Sequence, residues 1–171
     1  PILTKDLIRT NENALLADLF KKPAGKKNIH AFHTSGSPGT PMKVYRGMRN
    51  IAFTKAISLH YHLAHKRDFE LSNVNIVTTE SYGLTPGNWA SNIKTGPGYR
   101  IPINEHSNII FDHLIKLQPH YIQTHPSTLK RLIDISIEQG QLLDTLKEVS
   151  TFEENIKPNI APPLRARRDV T

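Results

Sequence analysis

Apolar residues recur along this chain at two spacings, and the spacing changes from one segment to the next. Helical spacing predicts helices at residues 3–22, 50–67, 106–119 and 126–140, of which the second is long and amphipathic. Short apolar runs bounded by turn residues predict strands at residues 28–34, 42–47, 73–80, 121–125 and 146–152. The alternation of strands and helices after residue 48 predicts an α/β fold with a mainly parallel sheet flanked by helices. An N-terminal helix and a hairpin of the first two strands precede that sheet.

Single residues mark several of the predicted element ends. Thr4 is a candidate N-cap for the first periodic segment, which is compatible with one helix or with two short ones. Pro126 lies in the first turn of the last helix and Gly140 follows its end, as is typical of these residue types. Residues 81–98 are rich in Gly, Pro and Asn and predict a long loop. That loop is either functional or a surface connection in which Trp89 packs at the edge of the core.

The composition limits the classes of protein and of site. The 171 residues are enough for one domain, and they contain neither an apolar run that could span a bilayer nor an N-terminal signal-peptide segment. The absence of cysteine excludes disulfides, thiolate metal sites and a cysteine nucleophile. These features predict a cytoplasmic protein without a membrane partner and leave homo-oligomerisation open. The formal net charge of +7 favours anionic partners such as nucleotides, coenzyme A or nucleic acid.

The segment FHTSGSPGTPMKVY, residues 32–45, carries the main candidate chemistry. Its hydroxyls and glycines lie between two predicted strands, and successive backbone N–H groups with hydroxyls can hold phosphate oxygens. Gly36 and Lys43 are spaced wrongly for a Walker A loop, and GPG at residues 96–98 lacks the third glycine of a dinucleotide fingerprint. A phosphate loop of another type is the hypothesis, and an ordinary hairpin turn is the alternative.

TSGSPGTP at residues 34–41 resembles the Ser/Thr/Gly-rich phosphate signature of the adenylate-forming superfamily, the acyl-CoA synthetases and their relatives. The resemblance continues in chain order through PILTKDL, SYGLT, YIQTHPSTLKRL and LKEVSTFEEN, as in the phenylacetate-CoA ligase branch. The sequence departs from the family at Pro38, where threonine is usual. It departs again in FEEN at residues 152–155, which lacks the usual glycine and proline.

The resemblance implies an ATP-dependent ligase that converts a small carboxylate to an acyl-adenylate and pyrophosphate, and then to a thioester. ATP and Mg²⁺ are the implied cofactors of the complete enzyme, with coenzyme A or another thiol as acceptor. Three sets of binding residues are implied. The phosphate-binding set is Thr34, Ser35, Gly36, Ser37, Gly39, Thr40 and Lys43; the acyl-pocket set is Tyr82, Gly83, Leu84 and Thr85; the adenine-binding set is Phe152, Glu153, Glu154 and Asn155.

The resemblance also implies parts that these residues do not contain. The segment with the family's magnesium-binding glutamate and the C-terminal lid with its lysine are not in this sequence, so we assign no catalytic residue. We expect a single α/β segment of an adenylating enzyme's N-terminal domain that is inactive alone. The alternatives are a catalytically silent nucleotide- or anion-binding domain and a basic nucleic-acid-binding module. RARR at residues 165–168 is the basic cluster on which the nucleic-acid alternative depends. Such a cluster more usually forms a solvated face of a helix.

The histidines of HYHLAH raise the question of a metal site. On a helix His60 and His62 point to nearly opposite sides, whereas His62 and His65 share a face without a carboxylate to complete a site. We therefore predict no metal there. By the resemblance, His33 and His125 are the histidines near the proposed site.

Overall fold

The computed structural model describes residues 4–11, 14–16, 18–21, 28–33, 43–79, 82–84, 88–90 and 93–155. The chain divides into two units, Pro1–Tyr61 and His62–Thr171. Among the helices in the described ranges, none is both long enough and apolar enough to cross a membrane.

The first unit begins with two short helices, α1 at Lys5–Thr10 and α2 at Asp18–Lys21. The Thr4 hydroxyl accepts a hydrogen bond of 3.2 Å from the backbone N–H of Leu7, so the predicted N-cap is confirmed. Two short helices, rather than one long helix, therefore account for the periodic segment at the start of the chain.

Strands β1 at Ile29–His33 and β2 at Lys43–Gly47 form an antiparallel hairpin. Ile29 lies opposite Gly47, and His33 lies opposite Lys43. The predicted hairpin is confirmed. The candidate phosphate residues Thr34, Ser35, Gly36, Ser37, Gly39 and Thr40 lie outside the described residues.

Helix α3 runs from Met48 to Ala64 and is largely exposed along its length. Phe53 and Ile57 share one face and Leu63 lies on another, and all three are exposed. Because apolar side chains are distributed around the helix, the prediction of an amphipathic helix is wrong. The only buried side chain described on α3 is that of His62.

The second unit contains a five-stranded sheet in the order β4-β5-β3-β6-β7. The strands are β3 at Asn73–Val77, β4 at Gly83–Leu84, β5 at Gly98–Pro102, β6 at Tyr121–Thr124 and β7 at Glu148–Thr151. Strand β4 is antiparallel to β5, and the other neighbouring pairs are parallel. Helices α4 at Ser107–Leu117 and α5 at Pro126–Gln139 pack against each other. The predicted α/β fold with a mainly parallel sheet is confirmed.

Strands β4 and β5 are absent from the pattern-based prediction, which ends its irregular loop at residue 98. Strand β5 reads GYRIP, and this short run combines an exposed Arg100 with a terminal Pro102. Its N–H and C=O groups pair with β3, and Ile101 is fully buried beside Ile76. The long-range pairing with β3 therefore determines this strand, and its own sequence shows no clear alternation.

The core of the second unit lies between the sheet and helices α4 and α5. Alternate residues of β3, β5 and β6 point to one face of the sheet because side chains alternate along a strand. That face packs on the inner sides of the two helices. The buried core consists of Val74, Ile76, Ile101, Ile110, Phe111, Leu114, Ile122 and Leu132.

Helix α5 has the ends that the sequence predicted. Pro126 occupies its first turn, and Gly140 follows its last residue with a φ of 62°. A left-handed conformation after a helix favours glycine because no Cβ collides with the backbone.

Candidate functional site

The carboxyl ends of four parallel strands meet at one edge of the sheet. In open α/β sheets ligands bind in the crevice outside this edge. His125 directly follows β6, and Phe152 directly follows β7, with Glu153 and Glu154 next along the chain. We refer to His125, Ser127, Phe152, Glu153 and Glu154 as the carboxyl-edge cluster.

Glu154 binds the amino end of helix α5 with both of its carboxylate oxygens. The backbone N–H of Ser127 donates to Oε2 at 2.9 Å, and the Ser127 hydroxyl donates to Oε1 at 2.9 Å. These bonds use donors at a helix end that lack partners within the helix, and the positive end of the helix dipole favours a carboxylate there. The backbone and hydroxyl hydrogen bonds from Ser127 hold the pKa of Glu154 below its usual range.

His125 lies between two carboxylates. Its Nδ1 is 3.4 Å from Oε1 of Glu154, and its Nε2 is 3.4 Å from Oε2 of Glu153. The imidazole packs edge-on against Phe152, with ring centroids 4.7 Å apart and an interplanar angle of 68°. These contacts fix the imidazole in position and orientation while leaving part of its surface exposed.

The backbone between Phe152 and Glu154 turns through an unusual conformation. The N–H of Phe152 still donates to the carbonyl of Thr124 at 3.3 Å, as in a continuing parallel pair. Glu153 then has a φ of 66°, in the left-handed region that non-glycine residues rarely adopt. This turn takes the chain from β7 to the amino end of α5.

The structure brings part of the predicted adenine-binding set together. Phe152, Glu153 and Glu154 surround His125 at the carboxyl edge, while Asn155 is exposed at the end of the described residues. The resemblance assigned this set without reference to geometry. These residues lie at the carboxyl edge of the sheet. In this fold class a nucleotide subsite is expected at that edge.

The predicted acyl-pocket residues lie at the β4 edge of the sheet. Tyr82 stacks on His113 of α4 with ring centroids 4.1 Å apart and an interplanar angle of 12°. Gly83 and Leu84 form β4, where they pair with Arg100 and Tyr99. Thr85 lies outside the described residues.

Lys43 is the one member of the predicted phosphate-binding set within the described residues. It begins β2, and its Nζ lies 5.0 Å from the centroid of the Tyr45 ring. This distance is within the range of a cation–π contact. The ammonium group is thus placed at the strand end next to the candidate loop.

Sequence reasoning missed two residues of these sites, Ser127 and His113. Ser127 contacts a residue 27 positions further along the chain, a separation that local capping rules do not cover. His113 lies on a helix predicted from its apolar spacing, and the spacing says nothing about its contact with Tyr82. The family resemblance, by contrast, places His125 near the proposed site.

A second polar cluster lies where strands β6 and β7 begin. Arg67 donates from Nε to Oε2 of Glu148 at 2.9 Å and from Nη2 to Oε1 at 2.5 Å. Its Nη1 donates to Nδ1 of His62 at 2.9 Å, and Nδ1 of His65 lies 3.2 Å from Glu148. Arg67 also lies over the ring of Tyr121, 5.4 Å from its centroid. Arg67, Glu148, His62, His65 and Tyr121 form the amino-end cluster.

His62 and His65 both reach the Arg67–Glu148 pair, so Glu148 is a carboxylate beside them that the sequence pattern does not reveal. His65 directly follows the last residue of α3, so the common helix face of the two histidines stays a prediction. The loop residue Trp89 is buried against Tyr121 and Phe69, and its indole N–H donates to the carbonyl of Leu71 at 2.9 Å. Trp89 therefore packs at the edge of the core, the structural alternative given for its loop. In the described part of the chain, no three His, Asp or Glu side chains are arranged to hold a metal ion.

Comparison with known proteins gives no match to any protein-family model or to any curated protein. Solved acyl-CoA ligases, however, share the fold. A 2-hydroxyisobutyryl-CoA ligase, solved in an open conformation with 2-HIB-AMP and CoA, aligns with 99% of this chain at a TM-score of 0.66 and 17% identity. A long-chain-fatty-acid-CoA ligase from Archaeoglobus fulgidus aligns with 78% of the chain at a TM-score of 0.54 and 15% identity.

A third structure, an AMP-forming acyl-CoA synthetase/AMP-acid ligase II-like protein from Dyadobacter fermentans, aligns with 93% of the chain at a TM-score of 0.53 and 16% identity. The chain spans 41%, 26% and 45% of the lengths of these three proteins, in the order given. At such low identity the likeness concerns the fold. The chain therefore has the fold of part of an adenylate-forming acyl-CoA ligase.

Proposed function

We propose that this chain is part of an ATP-dependent carboxylate-activating ligase of the phenylacetate-CoA ligase-like branch. The reaction is formation of an acyl-adenylate and pyrophosphate, followed by transfer of the acyl group to coenzyme A or another thiol. One observation carries the proposal. Residues assigned to adenine binding from sequence resemblance lie at the carboxyl edge of a parallel sheet, in a fold shared with acyl-CoA ligases.

In this proposal the loop at residues 34–40 holds the phosphate groups and then the departing pyrophosphate. Its hydroxyls and backbone N–H groups donate to phosphate oxygens, which carry growing negative charge as the bond to the α-phosphate breaks. Lys43, at the start of β2, adds a positive charge next to the loop. Pro38 removes one backbone donor, so this loop binds phosphate more weakly than a loop with threonine there.

The adenine segment and the acyl pocket lie at different places in the second unit. Phe152 and His125 offer half-buried aromatic surface at the carboxyl edge, beside the exposed Glu153 carboxylate, which fits a planar base. The Tyr82–His113 stack and β4 offer an aromatic wall for the acyl group. The neighbour solved with 2-HIB-AMP and CoA binds an acyl-adenylate and a thiol acceptor, and this supports the same ligand classes here.

Mg²⁺ does not fit the described residues. They bring no three His, Asp or Glu side chains together in a way that could hold a cation, so we derive no step through a metal.

The test uses the 171-residue chain and follows binding by NMR titration with pyrophosphate, ATP and AMP. We expect pyrophosphate and ATP to bind weakly and with a strong salt dependence, since the contacts are with phosphate charges. The variant with Ser35→Ala and Ser37→Ala should bind pyrophosphate about tenfold more weakly, because two donors are lost. The matched control is Thr54→Ala, which removes an exposed hydroxyl from α3, 2.9 Å from the carbonyl of Asn50. Equal pyrophosphate affinity in the wild type and the double variant would contradict the assigned phosphate loop.

The second candidate is a catalytically silent nucleotide- or anion-binding domain. It is favoured by FEEN at residues 152–155, where the family usually has glycine and proline and where Glu154 binds the end of α5. Both candidates predict nucleotide binding, so carboxylate-dependent ATP–pyrophosphate exchange by the protein that contains this chain distinguishes them. Exchange supports the ligase, and binding without exchange supports the silent domain.

A further inference from the structure

We propose that Glu154 is a positioning residue that anchors residues 152–155 to helix α5 and thereby sets the affinity for the adenosine part of the nucleotide. Glu154 acts through Ser127 and His125 and does not itself contact the base. This inference rests on the proposed function, because it concerns the nucleotide subsite named there.

The anchor is a two-point contact between a carboxylate and a helix end. Both oxygens of Glu154 accept hydrogen bonds of 2.9 Å from Ser127, one from the backbone N–H and one from the hydroxyl. A carboxylate that uses both oxygens in this way faces α5 rather than the open side of the crevice. The charge also lies at the positive end of the helix dipole, which strengthens the contact.

The anchor holds a backbone conformation that is unfavourable by itself. Glu153, immediately before Glu154, is in the left-handed region with a φ of 66°. A non-glycine residue stays there only when surrounding contacts determine it. Two sets of contacts do so: the hydrogen bonds that Ser127 donates to Glu154 on one side, and the bond from the Phe152 N–H to the Thr124 carbonyl on the other.

The same anchor determines where the aromatic surface of the subsite lies. Nδ1 of His125 faces Glu154 and Nε2 faces Glu153, so the imidazole is held from both sides and packs against Phe152. If Glu154 releases α5, residues 152–155 and the His125 ring lose their common orientation. The free energy of ordering them must then be supplied by the bound nucleotide, which lowers its affinity.

The experiment measures AMP and pyrophosphate affinities of the 171-residue chain by NMR titration. Glu154→Ala should bind AMP about tenfold more weakly, within the range of a lost helix cap, and Glu154→Gln about threefold more weakly because one acceptor oxygen remains. Pyrophosphate affinity should stay unchanged in both variants, because pyrophosphate binds at residues 34–40. The matched control is Glu138→Gln, at an exposed position near the other end of α5.

A double-mutant cycle tests whether Glu154 acts through Ser127. Ser127→Ala should weaken AMP binding about threefold, and combining it with Glu154→Ala should give no further loss, because one contact is removed twice. Amide hydrogen exchange of free protein should become faster at residues 152–155 and at Ser127 in Glu154→Ala, with exchange in β3 unchanged. A general loss of folding would instead accelerate exchange in β3 as well.

The outcomes separate the inference from the proposed function. Wild-type AMP binding with unchanged affinity in Glu154→Ala overturns the positioning role and leaves the proposed function standing. Absence of AMP binding by the wild type overturns the nucleotide subsite, and with it the inference. Additive losses in the double-mutant cycle show that Glu154 and Ser127 act independently, which also overturns it.

Discussion

The amino-end cluster and the carboxyl-edge cluster use similar side chains at opposite ends of the same pair of strands. In the amino-end cluster Glu148 begins β7 and lies beside His65. In the carboxyl-edge cluster Glu154 comes after β7 and lies beside His125. They differ in exposure. The side chains of Arg67 and Glu148 are 3% and 9% exposed, whereas those of Glu153 and Glu154 are 64% and 40% exposed.

This difference in exposure separates a structural role at the amino-end cluster from the proposed binding role at the carboxyl-edge cluster. The protein supplies the partners of the buried Arg67–Glu148 pair, and those groups are closed to a ligand. At the carboxyl edge, His125 and Phe152 are half-buried and Glu153 is exposed. Histidine and glutamate together therefore do not identify a site, and the exposure of the pair decides which role is possible.

The largest expected effect comes from breaking the buried pair. Glu148→Ala should lower the free energy of unfolding by about 3–5 kcal/mol, because it leaves the Arg67 guanidinium charged and buried without its carboxylate. Chemical denaturation monitored by tryptophan fluorescence measures this change, since Trp89 lies against Tyr121 in the same region.

The control for the buried pair is the exposed pair between Lys130 and Asp134 on α5, at 2.6 Å. Asp134→Ala should change the free energy of unfolding by less than about 0.5 kcal/mol, as is usual for exposed i,i+4 pairs. Similar effects for Glu148→Ala and Asp134→Ala would remove the distinction between the two clusters.

A smaller effect of opposite sign is expected at the carboxyl edge. Glu153→Gly should raise the free energy of unfolding by about 1 kcal/mol, because glycine adopts a φ of 66° without the steric cost that glutamate has. The lost contact with His125 reduces this gain only slightly, since the Glu153 carboxylate is largely exposed.

Glu105→Gly is the matched control for that substitution. Glu105 is exposed in the turn before α4 and does not have a positive φ. Glycine there should be neutral or slightly destabilising. If both glycine variants destabilise the protein equally, the left-handed turn at Glu153 carries no strain.

The smallest expected effect is a pH dependence of the free energy of unfolding that arises from His62 in the amino-end cluster. Burial, followed by the nearby Arg67 charge, lowers the pKa of His62 below its ordinary value of 6.5. His62 also accepts a hydrogen bond from Arg67 at Nδ1, which requires that nitrogen to be unprotonated. The unfolded chain then binds more protons than the folded one between the lowered pKa and 6.5, so stability falls as the pH drops below 6.5.

His62→Asn isolates this contribution, because its side-chain oxygen accepts from Arg67 and does not titrate. Thermal unfolding of both proteins between about pH 8 and pH 5 should show a smaller loss of stability in the variant. The neighbouring Glu148 and His65 are the same in both proteins, so the comparison isolates His62. Parallel stability curves would exclude a buried, neutral His62.

The features predicted correctly from sequence depend on local interactions. Thr4, Pro126 and Gly140 act within one helical turn, and the structure confirms each. Strand β5 was missed because its pairing with β3, and not its own short pattern, makes it a strand. The exposed apolar residues of α3 show the same limit, since periodicity alone does not state which side a helix buries.

The candidate site was only partly predictable for the same physical reason. His125 and Phe152 could be located because each is the last residue of a predicted strand. The contact of Arg67 with Glu148 spans 81 positions, and that of Ser127 with Glu154 spans 27. Neither separation has a sequence signal, because such contacts arise only after the strands have paired.

Glu148 and Glu154, which lie near the two ends of β7, also affect how this strand pairs with β6 during folding. Strand β7 has four residues, and a slip by two residues along β6 would keep every side chain on its original face. The pattern of apolar and polar residues alone therefore does not distinguish this misaligned pairing from the native one. A slip of that size moves the strand by about 7 Å, which takes Glu148 away from Arg67 and Glu154 away from Ser127 at the same time. Contacts at both ends of so short a strand thus specify its register, which its few apolar residues could not do.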